Sequence, residues 1–452
     1  MLRKIRKLIL HPNRYFYDYF RKKLGFRKFF VTDKIRLLDS ENHQKWHKVL
    51  FSHPYLYLYY KFNKRLRKPA YPILVDYRIE NLEKNAMGGG KRVVLTVELE
   101  RQNIIHFADP EIVLKAISGK EPYLAGKIFK FNFLGNGNCI FIDSGVKFGR
   151  NIKINFIGDN NQLHIGADCQ MMGGNINFHG SSNSFSLGKS CSILSNVIVE
   201  IKGNENSLDL KENCKLNTGF KIIFVKDGNY LYAGSSSSFN VKSSLIFSSS
   251  NGLIFICGNP DIYRTFHAHV SNGGILFIGE RMSNGLDVNF LVGGAKNILI
   301  GADVMMSHYL DLKTNDGHLI YDKNSNMRIN QPKSIIIGDH VWIGKSCTIL
   351  KGANIKDGSI IGAKSIVTKT IPENCIAAGS PAKPVKHEII WDRTLDFNLV
   401  GLKMEEYNIY KQPEYTYKPI GYEKLVKIDA IDSGLSAKEK VKLIKQIIND
   451  GK

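Results

Sequence analysis

A loop in the second half of the chain carries two side chains that could do proton chemistry together. Asp316 and His318 lie two residues apart in the segment Asp316-Gly317-His318. An imidazole with a pKa of about 6.5 can accept a proton near neutral pH, and a carboxylate nearby can orient it or contact a polar substrate. An Asp-x-His pair is a weak signal by itself, because a loop histidine is most often simply exposed to water. Its meaning depends on the elements that hold the loop.

The elements before this loop repeat along the chain. A short apolar signature, usually preceded by Asn, recurs every 22 or 23 residues and ends at Ile142, Ile165, Leu187, Leu210, Ala233, Ile256, Ile278 and Ile300. A second register recurs at the same spacing, at Phe133, Phe156, Phe178, Ile201, Phe224, Phe247 and His269. Two short strands per repeat cannot bury an apolar face alone, but stacked repeats can. The pattern therefore predicts a parallel β-solenoid.

The period shortens after the loop. An aliphatic residue recurs every six positions, at Ile337, Ile343, Ile349, Ile355, Ile361 and Val367. Four residues beyond each comes a mostly small side chain, at Val341, Cys347, Ala353, Ser359, Ser365 and Ile371. This pattern predicts a triangular coil of 18 residues, with the aliphatic side chain inside. Between Ile300 and Ile337 the repeat skips 37 positions, so a segment there must be looped out, and loops on rigid scaffolds often carry function.

The stretch 298–386 resembles the hexapeptide-repeat acyltransferases, and within them the sugar O-acetyltransferases that modify surface polysaccharides. The residues that carry the resemblance are Asp-Gly-His with Ile-Tyr-Asp (316–322), Ile-Gly-Asp-His-Val-Trp-Ile-Gly (337–344), Ile-Val-Thr-Lys (366–369) and Ala-Gly-Ser-Pro-Ala-Lys (378–383). The resemblance implies a mainly β chain built on a left-handed parallel β-helix. The early repeats exceed the family's usual 18 residues, so we expect corner insertions or a different cross-section there.

Three regions follow from this assignment. We expect a basic, aromatic-rich α/β region at 1–125, a β-helix acyltransferase domain at 126–386, and a C-terminal tail at 387–452. Within the first region, residues 71–77 and 92–99 are predicted to be strands. In the tail, Ser436 and Glu439 form the pattern of a capping box that opens an amphipathic helix through Ile448.

The resemblance also assigns roles to residues. It makes His318 the general base, and Asp316 a candidate to orient it or to bind the sugar. It places the pantetheine arm of acetyl-CoA along Trp342, Gly344, Lys345 and Ala363, and its phosphates at Thr368, Lys369, Lys383 and Lys386. Lysine at 383 and 386, where the family often has arginine, keeps the charge but loses the bidentate fork. This mechanism requires no metal.

The remaining histidines and the cysteines have simpler expected roles. We expect His340 to face solvent, His308 to lie at the surface or to contact substrate, and His267 and His269 to be packed or hydrogen-bonded. Four cysteines lie four residues after an inward aliphatic position and are expected to be small buried side chains: Cys169, Cys191, Cys214 and Cys347.

The charge of the chain is concentrated near its beginning. The net charge is +22 over 452 residues, and residues 1–70 hold 19 Lys and Arg against four acids. Such a region predicts an anionic partner: membrane lipid, an anionic glycan or, with no supporting motif, nucleic acid. The first residues also weakly resemble bacterial capsule-assembly enzymes. With 43% hydrophobic residues the chain is not largely disordered.

Taken together, the sequence predicts an acetyl-CoA-dependent O-acetyltransferase acting on a bacterial capsular or other surface polysaccharide by direct attack on the thioester. The resemblance implies a homotrimer. No apolar run spans a membrane and no secretory signal is evident, so we expect a cytoplasmic protein, alone or in peripheral contact with the inner membrane or capsule-assembly enzymes. Two alternatives stay open: an N-acetyltransferase of a nucleotide-linked amino sugar, and a non-catalytic glycan-binding β-solenoid.

Overall fold

Short strands separated by polar turns build the chain, as the two sequence periods predict. The computed structural model describes residues 75–78, 94–98, 103–107, 129–149, 152–258, 261–262, 265–393, 410 and 417–450. The basic segment 1–70 therefore lies outside the described residues, and its predicted partners stay predictions. Contacts divide the chain into two compact units, Met1–Ile201 (unit one) and Lys202–Lys452 (unit two).

Unit one contains thirteen described strands. They are β1 (Val75–Arg78), β2 (Val94–Glu98), β3 (Ile104–Phe107), β4 (Phe129–Phe133), β5 (Cys139–Ile142), β6 (Lys147–Phe148), β7 (Ile152–Phe156), β8 (Gln162–Ile165), β9 (Gln170–Met171), β10 (Gly174–Phe178), β11 (Ser184–Leu187), β12 (Ser192–Ile193) and β13 (Val197–Ile201). The first two overlap the strands predicted at 71–77 and 92–99.

Unit two contains twenty-four described strands and two helices. They are β14 (Ser207–Leu210), β15 (Lys215–Leu216), β16 (Lys221–Phe224), β17 (Tyr230–Ala233), β18 (Ser238–Phe239), β19 (Ser244–Phe247), β20 (Leu253–Ile256), β21 (Asp261–Ile262), β22 (Phe266–Val270), β23 (Ile275–Ile278), β24 (Ser283–Asn284), β25 (Val288–Val292), β26 (Ile298–Ile300), β27 (Met305–Met306), β28 (Leu310–Lys313), β29 (Ile335–Ile337), β30 (Trp342–Ile343), β31 (Thr348–Leu350), β32 (Asn354–Ile355), β33 (Ile360–Ile361), β34 (Ile366–Val367), β35 (Thr370–Ile371), β36 (Ile376–Gly379), β37 (Ala382–Lys386), α1 (Tyr422–Asp429) and α2 (Ala437–Asn449).

Each coil adds one strand to each of three faces. In unit one, face one contains β5, β8 and β11, face two β4, β7, β10 and β13, and face three β6, β9 and β12. Strands β1, β2 and β3 extend face one, and β1 to β3 pair antiparallel. In unit two, face one runs from β14 through β26 and β29 to β35. Face two runs from β16 through β28 and β31 to β34. Face three runs from β21 through β30 to β37. The predicted mainly β chain and its parallel solenoid are confirmed, and the left hand of the helix stays a prediction.

The coils before residue 314, called wide coils, contain 22 or 23 residues, and the turns of several of them hold a buried asparagine ladder. In unit one, the backbone N–H and Nδ2 of Asn161 donate to Oδ1 of Asn138, at 2.9 and 3.0 Å. In unit two, Asn229 donates to Asn206 in the same way, at 2.9 and 3.1 Å. Each buried amide is thereby satisfied by the neighbouring coil. This ladder explains why Asn precedes the repeated apolar signature.

The coils after residue 334, called narrow coils, contain shorter strands and an aliphatic core. Ile337 pairs with Ile355 on face one, and Ile349 pairs with Val367 on face two. The six residues of the predicted inward register, from Ile337 to Val367, are fully buried. All four cysteines predicted to be small buried side chains are buried and free of disulfides.

The second predicted register of the wide coils is wrong at its last member. Phe247 pairs with Val270, which is buried, whereas His269 points outward and is exposed. Because the repeat length is 22 in some coils and 23 in others, the spacing alone misplaced this position by one residue. Successive side chains of a strand point to opposite faces, so an error of one residue exchanges an inward position for an outward one. The expectation of hydrogen-bonded histidines agrees with the structure: His267 Nδ1 lies 2.6 Å from Ser244 Oγ, and His269 Nε2 lies 2.6 Å from Ser248 Oγ.

The two helices cover part of face one of unit two. Leu253 and Phe255 point out of the solenoid and are buried beneath α1 and α2, against Leu425 and Ile444. The capping box predicted at the start of α2 is present, with Ser436 and Glu439 exchanging hydrogen bonds. Helix α1 was not predicted. Among the described residues, no helix is long and apolar enough to cross a membrane.

Candidate active site

The loop that carries His318 emerges between face two and face one of unit two. It joins β28 to β29 and is closed at its base, where Lys333 N donates to Thr314 O at 3.0 Å. Within the loop, Tyr321 and Arg328 form an antiparallel bridge, and Ile329 N donates to Ile320 O at 2.9 Å. The loop is therefore an ordered hairpin, as expected for the segment that the repeat skips.

Asn330 is the buried centre of this loop. Its Nδ2 donates to the carbonyl of His318 at 2.7 Å and to Oδ2 of Asp316 at 2.9 Å. Its Oδ1 accepts from the backbone N–H of Ile320 at 2.9 Å. One amide side chain thus fixes the backbone on both sides of His318. The sequence analysis did not identify Asn330, although it lies in the skipped segment.

The Asp316 carboxylate is held by the next coil. It forms an ion pair with Lys351, which lies at the same corner just after β31. Hydrogen bonding to Lys351, and then to Asn330, holds the pKa of Asp316 below its usual value, so this carboxyl is ionised at neutral pH. The described hydrogen bonds of the Asp316 carboxylate go to Lys351 and Asn330, and Asp316 is connected to His318 through Asn330.

The side chain of His318 is exposed at the outer surface of this corner. Gly317, just before it, has φ +79°, a left-handed conformation that favours glycine, and a Cβ added there would meet no atom within 4 Å. The glycine is therefore needed for backbone conformation and not for space. The same loop carries five exposed large hydrophobic side chains: Leu319, Ile320, Tyr321, Met327 and Ile329.

Face three and the corner that follows it carry six of the eight residues predicted to contact acetyl-CoA. Trp342 lies on β30 and is 36% exposed. Gly344 follows it at a tight corner, where an added Cβ would lie 2.6 Å from both Ala363 N and Ile361 O. At the same corner, Lys345 Nζ lies 5.6 Å from the centre of the Tyr309 ring. Gly344 itself is buried, whereas Lys345 and Ala363 at this corner are exposed.

The four predicted phosphate contacts lie in two places. Thr368 and Lys369 directly follow β34, at the corner between face two and face one that also carries the His318 loop. Lys383 and Lys386 lie on β37, which pairs antiparallel with β36 at the end of face three, and both are exposed. In a three-sided coil, face three lies opposite the corner between the other two faces. One chain therefore does not bring all predicted site residues together.

Two histidines near the site differ in their surroundings. The prediction that His340 faces solvent is wrong: its Nδ1 lies 2.7 Å from Oδ2 of the fully buried Asp303, and its ring stacks on Trp391. This pairing leaves no local pattern in the sequence, because Asp303 and Trp391 are 37 and 51 residues away from His340. His308 is half-buried, and its Nδ1 accepts from Leu286 N at 2.8 Å. Its predicted contact with substrate stays a prediction.

The cofactor expectations can be compared with the described part of the chain. No group of three or more His, Cys, Asp or Glu residues there is arranged to hold a metal ion. The exposed surface at Trp342 and Ala363 fits an extended amide-containing arm, and the exposed lysines near face three fit an anionic group.

Comparison with known proteins gives the family. The family model of bacterial transferase hexapeptide (six repeats) matches residues 334–369. The polysialic acid O-acetyltransferase of Neisseria meningitidis is 31% identical over 200 residues, which cover 43% of this chain and 89% of that protein. The polysialic acid O-acetyltransferase of Escherichia coli O1:K1 / APEC is 38% identical over 131 residues, covering 29% of this chain and 42% of that protein.

A solved structure of the polySia-specific acetyltransferase NeuO is 26% identical, with a TM-score of 0.29, over 62% of this chain and 97% of that one. The chain belongs to the hexapeptide-repeat acyltransferases. Within that family it falls in the branch that contains the polysialic acid O-acetyltransferases. The match spans less than half of the length of the Escherichia coli relative.

Proposed function

We propose that the protein is an acetyl-CoA-dependent O-acetyltransferase that transfers acetyl to a sugar hydroxyl of a bacterial capsular or other surface polysaccharide. Family membership supports acyl transfer, and two relatives named for a polysaccharide acceptor support the substrate class. The observation that carries the proposal is the His318 loop, which presents an exposed imidazole on a backbone fixed by buried Asn330.

The proposed reaction needs one base and a well-placed thioester. The His318 imidazole accepts the proton of the sugar hydroxyl as its oxygen attacks the thioester carbonyl of acetyl-CoA. The tetrahedral intermediate collapses, the C–S bond breaks, and the coenzyme A thiolate leaves and takes up a proton. An acetyl ester and free coenzyme A result. Asp316, ionised and paired with Lys351, contributes by holding the loop through Asn330.

We place the complete site between two chains of a symmetric trimer. Within one chain, the His318 corner and face three are opposite each other, so a second chain is needed to bring Trp342 near His318. The exposed apolar residues of the loop support this arrangement, because a patch of five such side chains is typical of a surface that another chain covers. The corner at Gly344 and Ala363 would receive the pantetheine arm.

The proposed acceptor and location rest on the positive charge of residues 1–70. An anionic glycan fits the surplus of lysine and arginine in residues 1–70, where aromatic residues are interleaved with the cations. We propose that this segment holds the glycan, or the lipid surface beside it, near the catalyst on the cytoplasmic side.

Acetyl transfer to purified capsule polymers tests this function. With labelled acetyl-CoA, we expect the wild type to form an ester that mild alkali removes, and His318→Ala to lose about 10²–10⁴-fold in kcat. His269→Ala, which removes an exposed histidine of a wide coil, is the matched control and should keep full activity. Full activity of His318→Ala would exclude it as the base. An alkali-stable product would indicate N-acetylation. If the protein does not bind coenzyme A, it would instead be a non-catalytic glycan-binding solenoid.

Mixing two inactive variants tests the shared site. Co-expressed His318→Ala and Trp342→Ala chains should form trimers in which some sites combine an intact His318 with an intact Trp342 from another chain. About a quarter of sites would be complete at equal expression, so activity should return to that fraction. If mixed trimers form and remain as inactive as either variant, each site is contained within one chain.

A further inference from the structure

A buried network joins the segment after β37 to the turn that precedes Trp342. We infer that Trp391 is a positioning residue that fixes the indole of Trp342, the predicted wall of the acetyl-CoA site. The expected change in the KM for acetyl-CoA rests on the proposed function. The mobility of the Trp342 indole can be measured without any activity.

The turn before Trp342 contains a residue in the left-handed conformation, as do the equivalent turns of the two preceding coils. His340 has φ +53°, and Asp303 and Arg281 have φ +57° and +58°. Its N–H donates to Ala302 O at 2.8 Å, and the buried Asp339 accepts from Ala302 N at 2.6 Å and Gly421 N at 2.8 Å. Contacts from other segments therefore hold this turn in place.

Trp391 contacts His340 in three ways. Its indole Nε1 donates to the carbonyl of His340 at 2.9 Å, and its own carbonyl lies 3.0 Å from His340 Nε2. The two rings stack with centres 4.0 Å apart and planes 10° apart. Trp391 is only 6% exposed, so these contacts are largely shielded from water. The peptide that leads into Trp342 is thus fixed on one side by Trp391.

Charged groups anchor the same segment two residues later. Arg393 Nε lies 2.8 Å from Oδ1 of Asp303, and Arg393 Nη1 donates to Ser283 Oγ at 2.8 Å. Asp303 also pairs with His340 and, at 3.3 Å, with Arg281. Because Asp303 is fully buried, these pairs are poorly screened by water and hold the segment 391–393 against the solenoid.

The Trp391 ring then reaches Trp342 directly. The two ring centres are 6.0 Å apart with planes at 44°, and Trp342 keeps 36% of its surface exposed. One side of the Trp342 indole therefore rests on a buried ring while the other stays open for a ligand. Removing the buried ring would leave the indole free to rotate. A displaced Trp342 indole should weaken acetyl-CoA binding and leave acceptor binding unchanged.

Local rotation of Trp342 gives a direct test. The chain has three tryptophans, so Trp46→Phe combined with Trp391→Ala or Trp391→Phe leaves Trp342 as the sole emitter. We expect fast local depolarisation of its fluorescence in the Trp391→Ala chain, and much less in the Trp391→Phe chain, which keeps a stacking ring. Circular dichroism confirms that both are folded. Equal depolarisation in the two folded variants would overturn the inference.

Steady-state kinetics distinguish a role in positioning Trp342 from an unspecific loss of structure. For Trp391→Ala we expect the KM for acetyl-CoA to rise about three- to tenfold, the amount that an aromatic pair contributes, with an unchanged KM for the acceptor. Trp391→Phe should restore most of the affinity. Equal changes in both KM values, or a loss of kcat alone, would contradict a positioning role. If the wild type fails to bind acetyl-CoA in a calorimetric titration, the proposed function fails, whatever the fluorescence shows.

Discussion

The wide and narrow coils of unit two share three faces but bury different cores. In the wide coils, Phe224 and Phe247 stack with ring centres 4.7 Å apart, and buried asparagines fill the turns. In the narrow coils, aliphatic side chains fill the interior and small residues form the corners, as at Gly344 and Ala363. Predicted cofactor contacts such as Trp342 and Lys345 lie on the narrow coils, where both side chains are exposed. The wide coils thus provide a stacked core, and the narrow coils carry the predicted binding side chains.

The largest expected effect is a loss of folding stability when the core of a wide coil is disrupted. Phe224→Ala removes a fully buried ring from the stack and should lower the free energy of unfolding by about 3–5 kcal/mol. Acetyl-CoA affinity of the folded protein should stay unchanged, since the residue lies in a wide coil. Urea denaturation followed by circular dichroism, with calorimetry on folded protein, measures both. A weaker affinity for acetyl-CoA would show that the two kinds of coil are coupled.

An intermediate effect concerns the loop at the boundary between the two kinds of coil. Asn330→Ala removes three hydrogen bonds that fix residues 316–320. We expect kcat to fall about tenfold, because a misplaced general base is costly, while the acetyl-CoA dissociation constant stays unchanged. Asn324→Ala, an exposed asparagine of the same loop, is the control. Wild-type kcat in Asn330→Ala would mean that the loop keeps its shape without this amide.

The smallest expected effect concerns the helices over the wide coils. Lys440 Nζ is buried and donates to the carbonyls of Asn251, Gly273 and Ser433, at 2.9, 2.7 and 2.9 Å. Lys440→Met should lower the free energy of unfolding at pH 7 by about 1–2 kcal/mol, because these carbonyls lose their donor. Lys442→Met, exposed on the same helix, should change little.

The pH dependence of this effect has a definite sign. Burial lowers the pKa of Lys440 to about 8, so the amine stays charged at neutral pH, whereas its pKa in the unfolded chain is about 10.4. Between these values the unfolded chain binds more protons, and the wild type gains stability as pH rises. The stability difference from Lys440→Met should therefore grow from pH 8 to about 10.4. A constant difference across this window would argue against the lowered pKa.

The sequence predicted the parts of the fold that repeat. Inward positions such as Ile337 and Ile349 were correct, because each coil must stack the same residue type on the next. His269 was misplaced, because a repeat that alternates between two lengths leaves the register uncertain by one residue. The capping box of α2 was found from Ser436 and Glu439, because capping is local in sequence.

The sequence predicted less of the candidate site. The motif singles out His318, whose role as the base stays a prediction. Its support by Asn330 was not predicted, because one amide bonding both Asp316 and His318 across the loop leaves no periodic trace. The pairing of His340 was missed for the same reason. Its partners Asp303 and Trp391 are far apart in the chain and meet only after the coils have stacked.

Strand β37 has a consequence for the fate of the folded chain. A solenoid that simply stopped would present an unpaired edge of face three, on which a second copy could continue the sheet into a fibre. Instead β37 turns back antiparallel over β36 and carries Pro384 together with Lys383 and Lys386. Proline removes a donor from the outer strand, and neighbouring lysines repel an incoming copy. The hairpin thus protects face three against end-to-end polymerisation while its lysines remain available to an anion.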